Sequence, residues 1–484
     1  MGARTRRSTG VFALSLALAG CAVGPNYKRP PVRVPDRFYG QEDPTTVAAL
    51  AKARSLADVP WWDAFEDPVL TGLIEEAVKN GFDARLAAAR VEEARALYGV
   101  ARSQFFPAVS YEGTWQRSRP EGSANPEGKA HDRWAVDVNF SWELDLWGRI
   151  RRLSEAARAQ YLATEEARRG VLLSLVSDVA VAYMDLRELD RELEISKGST
   201  ASFQGTFDLF ERRLEGGTAS ALETARAQAA LENVAAQIPE IERAIVAREN
   251  QINFLLGRNP QPIPRDPAGT ALPPEVPPGL PSTLLERRPD IRQAEQLLVA
   301  ANANVGAAKA DFFPRLSLTG LLGLASPELG SLFESNSRTW SVGSGLLGPL
   351  FEGGRIKRNH EAAIARWDQA RISYEAAVAN AFGEVSRALV DRAKLAETER
   401  RRTREAAAYQ EAVRLAQARY SAGRSAYFEV LDAQQQLFPA EIALAETRHD
   451  RLVAVVALYR ALGGGWPSAE RTMGPGGSAR QSPP

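Results

Sequence analysis

Two periodicities divide the chain. From residue 109, apolar positions fall on every second residue: Val109, Tyr111, Gly113 and Trp115 alternate with Ser110, Glu112, Thr114 and Gln116. The return run is cleaner, with Trp134, Val136, Val138, Phe140, Trp142 and Leu144 on one face and Asp137, Asn139, Ser141 and Glu143 on the other. Period two over such lengths predicts strands. The connection from Arg117 to Arg133 is polar and rich in Pro, Gly and Ser, so the spacing predicts a hairpin over about 106–146. A second hairpin is predicted over about 314–349, from Leu316, Leu318, Gly320 and Leu322 followed by Trp340, Val342, Ser344 and Leu346. Each run has about the 9–11 residues that a tilted transmembrane strand needs. Trp115, Trp134, Trp142 and Trp340 suit an interfacial aromatic belt, and Asp137, Asn139 and Glu143 suit a wet lumen. Burial of one face in a soluble sandwich is the other reading of the same alternation. Four strands cannot close a barrel, so a membrane reading requires several chains.

Elsewhere the period is helical. Leu172, Leu175, Val179, Ala182, Leu186, Leu189 and Leu193 step by three and four, a heptad seam of coiled packing. Val378, Ala381, Val385, Ala388, Arg392, Leu395 and Glu399 repeat it, fraying toward the end. A helix of some 40 residues would run roughly 60 Å. Alanine-rich stretches from Ala219 to Leu256 and from Ser425 to Leu462 predict the helices that turn back, with Gly216, Gly217 and Gly423 at the hairpin turns.

These patterns occur twice. Ser103-Gln104-Phe105-Phe106-Pro107 has its partner in Ala310-Asp311-Phe312-Phe313-Pro314 at an offset of 207, and Asp83-Ala84-Arg85 matches Asp290-Ile291-Arg292 at the same offset. Gly148-Arg149-Ile150-Arg151 matches Gly354-Arg355-Ile356-Lys357 at 206, as do Arg213 and Gly217 with Arg419 and Gly423, and Leu256-Gly257 with Leu462-Gly463. The chain is therefore read as two copies of one unit, residues 70–258 and 280–464. Between them, residues 259–289 hold ten prolines and predict an extended crossing. Residues 21–69 form a proline-punctuated arm, and residues 465–484 a Gly/Pro/Ser-rich tail.

Composition narrows the chemistry. With 484 residues, 44% hydrophobic and 25% charged, the chain can bury a core. Sixty basic side chains balance 60 acidic ones, without the basic footprint of a nucleic-acid binder. His131, His360 and His449 lie far apart in sequence, and one cysteine cannot build a thiolate zinc site, so no metal site is predicted. That cysteine stands at an informative place. Arg4, Arg6 and Arg7 precede the apolar run Val11 to Ala19, and Leu18-Ala19-Gly20-Cys21 closes it. Residues 1–20 read as a secretory signal, too short to span a bilayer. Small residues before a single cysteine resemble the bacterial lipoprotein box, in which Cys21 would be acylated. Removal of the signal leaves 57 basic against 60 acidic residues, a net of −3.

The start Gly20-Cys21-Ala22-Val23-Gly24-Pro25-Asn26-Tyr27, the twin Phe-Phe-Pro turns, the Trp147-Gly148-Arg149 and Gly353-Gly354-Arg355 junctions, and Arg419-Tyr420 with Gly423 and Leu431-Asp432-Ala433-Gln434 resemble TolC/OprM-type outer-membrane efflux channels, in the lipoprotein branch serving RND-type tripartite pumps. The resemblance implies an α+β membrane protein: long coiled helices forming an α-barrel tunnel, and two β-hairpins per chain contributing to a shared transmembrane β-barrel. It also implies a homotrimer in the outer membrane, lipid-anchored through Cys21 and extending into the periplasm. A periplasmic adaptor (membrane fusion protein) and an RND-type inner-membrane transporter would be its partners, meeting it at the tips around Gly216, Gly217 and Gly423. Phe428 and Asp432 match the family's constriction, one turn apart on one helical face. Three Asp432 carboxylates around an axis would repel one another and favour cations. Where relatives can carry an arginine just beyond, this chain has Gln435, and Arg226, the duplicate of Asp432, is the candidate neutralising charge.

No nucleophile elbow, P-loop or dinucleotide fingerprint occurs, so neither an enzyme nor a cofactor is expected beyond the lipid on Cys21. The rival to a channel is a lipid-anchored periplasmic coiled-coil scaffold or adaptor without a pore. With only Met1, Met184 and Met473, the chain has no methionine-rich track for soft metals.

Overall fold

The computed structural model describes residues 22–39, 62, 65–119, 130–266, 272–273 and 281–464. The signal segment, Cys21, most of the hairpin loop, part of the proline crossing and the tail lie outside the described residues. Asp67 caps the first helix by accepting the amides of Val69 and Leu70, both at 3.0 Å, with Pro68 at a position that needs no donor. The first copy runs α1 (Pro68–Asn80), α2 (Phe82–Ser103), β1 (Ala108–Ser118), β2 (His131–Leu144), α3 (Arg149–Glu215), α4 (Ala221–Ala235) and α5 (Gln237–Leu255). After one short turn of helix at Leu284–Arg287, the second runs α6 (Pro289–Ala310), β3 (Arg315–Ser326), β4 (Arg338–Leu347), α7 (Arg355–Ser421) and α8 (Phe428–Ala461). α3 and α7, the duplicates of each other, are both 67 residues long. Among the described residues, no helix is long and apolar enough to cross a membrane.

The turn-back helix expected as one piece from Ala219 to Leu256 is broken. α4 ends at Ala235, and Ala236 links it to α5. Pro239 has no amide to return to residue 235, so the ladder lapses there. Its counterpart α8 keeps Pro439 inside a continuous helix. The acceptor freed there belongs to Gln435, an exposed residue that water can reach.

Contacts divide the chain into two compact units, and the division cuts each copy. One unit is Met1–Pro31, Arg90–Glu165 and Gln293–Glu375; the other is Val32–Ala89, Glu166–Arg292 and Ala376–Pro484. Its boundaries fall inside α2, α3, α6 and α7. In the first unit the two hairpins join into one antiparallel sheet ordered β1-β2-β3-β4, because β2 pairs with β3 from Trp134↔Ser326 to Leu144↔Leu316. The sheet's outer edges, β1 and β4, come from different copies. In the second unit the heptad seam is the core: Leu172, Leu175, Val179, Ala182 and Leu186 are buried with Val385, Ala388, Val455 and Tyr459. Leu189 and Leu193 are only half-buried, so the seam loosens there in the first copy as well.

Candidate channel wall and gate

In the sheet, the apolar rows of the four strands fall into register. Tyr111, Val138, Leu322 and Trp340 stand side by side, as do Val109, Phe140, Gly320 and Val342. This face is open: Tyr111 is 88%, Trp340 75% and Val342 82% exposed. The other face carries Glu112, Asp137, Gly323 and Thr339 in one row and Ser110, Asn139, Leu321 and Ser341 in the next. Here Asp137, Asn139 and Glu143 are half-buried and Ala135 is buried. A water-soluble sheet covers its apolar face; this one leaves Tyr111, Val138, Leu322, Trp340 and Val342 exposed, and on the edge strand β1 both faces are exposed. Gly323 serves the polar face, since a Cβ there would meet Asp137 Oδ1 at 2.0 Å. That oxygen is buried without a hydrogen-bond partner.

The tryptophans divide by role. Trp115 and Trp134 pair in register with ring centroids 5.7 Å apart. Trp142 Nε1 donates to the carbonyl of Phe105 at 3.0 Å, and Trp147 Nε1 donates to that of Pro314 at 2.8 Å, so each clamps one Phe-Phe-Pro turn. Trp147 also stacks on Phe313 at 4.7 Å. Glu143, expected as a lumen carboxylate, takes both hydrogen bonds of the Arg149 guanidinium, at 3.0 and 2.8 Å, and is thus the neutralised partner of the strand-to-helix junction.

In the second unit, Gly217 and Gly423 occupy duplicate turns with φ of +71° and +67°. Each closes its helix in the same way: the Gly217 and Gly423 amides donate to Leu214 and Tyr420, and the following amides to Arg213 and Arg419. Gly216 lies outside the left-handed region, and a Cβ there would meet only ordinary contacts. Phe428 is 62% exposed, and Asp432 and Gln435 are exposed beside it, while Val430, Leu431, Ala433 and Gln434 bury the opposite side of α8. Arg226 is exposed on α4; no ion pair joins it to Asp432 among the described residues. One turn before Arg226 stands Leu222, the duplicate of Phe428 and equally 62% exposed. The offset of 206 was the signal that could have found it.

A contact network that the periodicities do not reveal braces these turns. Arg213 lies over the Tyr420 ring at 5.1 Å and hydrogen-bonds its hydroxyl. Tyr420 meets Tyr427 edge-on at 5.0 Å, and Tyr427 meets Phe210 at 4.6 Å. The Tyr427 hydroxyl bonds Thr206 at 2.5 Å, and burial pushes its pKa up, keeping it protonated.

The sheet leaves much of its apolar face exposed, and α3 and α7, the helices that follow its two hairpins in sequence, are each 67 residues long. The outer membrane efflux protein family model matches residues 73–258 and again 280–464. The chain belongs to this family. It is 36% identical over 471 residues to the toluene efflux pump outer membrane protein TtgI of Pseudomonas putida, covering 95% of this chain and 98% of that one. It is 35% identical over 460 residues to the cation efflux system protein CusC of Escherichia coli O6:H1, covering 94% and 98%. Among solved structures, the open state of the outer membrane channel MtrE of Neisseria gonorrhoeae superimposes with a TM-score of 0.81 at 31% identity, covering 92% of this chain and 99% of that one. The chain is an outer-membrane efflux channel built as a duplicated unit, with a large periplasmic extension. This decides against the pore-free scaffold.

Proposed function

We propose that three copies close the channel, each supplying its four strands to one barrel, and that the lipid on Cys21 holds the base of each copy in the outer membrane. What carries the reading is the sheet: Val109, Tyr111, Val138, Leu322, Trp340 and Val342 of its apolar face stand exposed, and β1 and β4 have an unpaired edge among the described residues, which a bilayer and neighbouring copies would cover. The position of the arm supports the anchor. The Val23 amide, two residues after Cys21, donates to Trp147 at 2.9 Å, beside the strand-to-helix junction. Arg29 then grips Glu295 through two bonds of 2.6 Å, so the arm is tied down soon after its start.

The energy for export comes from an inner-membrane transporter of the RND type through a periplasmic adaptor, and the turns at Gly217 and Gly423 meet that adaptor. Phe428 with Leu222, and Asp432 with Arg226, form two rings that narrow the periplasmic end. Two relatives of nearly equal identity, one of them a toluene and the other a cation efflux protein, support a conduit whose cargo is chosen by its partners. Purified protein in a planar bilayer tests the core of this reading: discrete conductance steps are expected, and their absence from folded trimers would overturn it.

A further inference from the structure

Asp185 and Glu188, one turn apart on α3, meet His449 of α8 across 264 residues of sequence. His449 Nε2 lies 2.7 Å from Asp185 Oδ1, and Nδ1 lies 3.4 Å from Glu188 Oε2 and 3.2 Å from Asp450 Oδ1. One donor atom from each of Asp185, Glu188 and His449 falls within 4.8 Å of the other two. All three side chains are largely covered, at 17%, 17% and 14% exposure, which is unusual for two carboxylates at a helix surface. The groups are also held in place. Arg248 takes the other Asp185 oxygen at 3.1 Å, turning Oδ1 toward the imidazole, and Asp450 holds the far side of the ring. Such outer contacts orient metal ligands. Glu192 and Glu446 add negative charge around Glu188, while Arg187, Arg191 and Arg448 stand further round the cavity beside it. This cavity, of about 670 Å³, opens beside Glu188 and His449 and gives an ion and its water a way in.

We propose that Asp185, Glu188 and His449 bind a divalent transition-metal ion of the zinc class. One imidazole nitrogen and two carboxylate oxygens suit that class, with the fourth position left to water from the cavity. With Nε2 and Asp185 Oδ1 as ligands, Nδ1–H keeps its bond to Asp450 and Glu188 supplies the third atom. The ion links α3 of the first copy to α8 of the second, the helix that also carries Phe428 and Asp432.

The test uses the full-length protein in detergent, stripped with a chelator and titrated with Co²⁺ as a spectroscopic probe and with Zn²⁺. One Co²⁺ per chain with visible ligand-field absorption is expected, displaced by Zn²⁺, and Zn²⁺ raises the melting temperature. His449→Gln and Asp185→Asn are expected to weaken binding by roughly 100-fold, whereas His131→Gln and His360→Gln leave it unchanged. Folded wild-type protein without the absorption overturns the site outright. So does absorption that titrates with unchanged affinity in His449→Gln or vanishes in His131→Gln.

Discussion

At the scale of single residues, conformation and exposure separate positions that look alike in sequence. Gly216 and Gly217 are adjacent glycines at one turn, but only Gly217 takes the left-handed backbone. Gly217→Ala and Gly423→Ala are each expected to lower stability by about 1 kcal/mol, with Gly216→Ala close to neutral, as read by thermal unfolding. Asp432 and Phe428 share an exposed face at the start of α8 and take little part in the chain's own packing. Asp432→Ala should raise resting leak current several-fold in reconstituted bilayers; unchanged conductance would remove Asp432 from the gate. The brace of Arg213, Tyr420 and Tyr427 illustrates what spacing could not reveal. Tyr420 belongs to a motif legible in the chain, but Arg213 meets Tyr420, and Phe210 and Thr206 meet Tyr427, only when the two turns are folded against each other.

At the scale of elements, the strands were the most legible feature, since alternation survives whatever they pair with. Their membership in one sheet was not, because nothing in period two says which hairpin edge meets which. The exposed row gives a test that separates lipid from water. Val342→Arg would cost little on a wetted surface, yet is expected to destabilise the assembled barrel by about 2–4 kcal/mol, while Ser341→Arg on the opposite face is tolerated. Loss of the proposed heat-modifiable oligomer on gels reads this out.

The contact between α3 and α8 gives a second test at this scale. Burial pushes Glu188 up to about 7 against the attraction of His449, with Glu192, Asp185 and Glu446 adding to the rise. Burial alone would lower His449, but its bond to Asp185 and the charges of Glu188 and Asp185 raise it overall. Arg248, from α5, pairs with Asp185, and Asp450 flanks the ring. Both shifts are upward, so the folded state holds more protons than the unfolded one, and stability falls as pH rises through these values. Chelator-treated protein should melt lower at about pH 8 than at about pH 5, and Glu188→Gln should flatten the dependence.

At the scale of the whole molecule, duplication in sequence is not division in space. Each compact unit draws on both copies: the sheet needs β2 from one and β3 from the other, and the seam of α3 is buried with residues of α7 and α8. Residues 70–258 alone are therefore expected to be protease-sensitive, because β2 loses a partner and Leu175, Val179 and Leu186 lose their cover; a protease-resistant fragment would refute this. What the sequence determined by itself was local or repeated: the alternation, the heptads, the offset of 206, the cysteine after the signal and the family motifs. These signals are carried by residues near one another along the chain or copied at a constant spacing. The tertiary structure alone decided which residues from distant segments meet. It joined the hairpins into one sheet, left Tyr111, Trp340 and Val342 of its apolar face exposed, paired Glu143 with Arg149, and brought His449 to Asp185 and Glu188. Those outcomes depend on how helices and strands pack across hundreds of residues, and no periodicity records that.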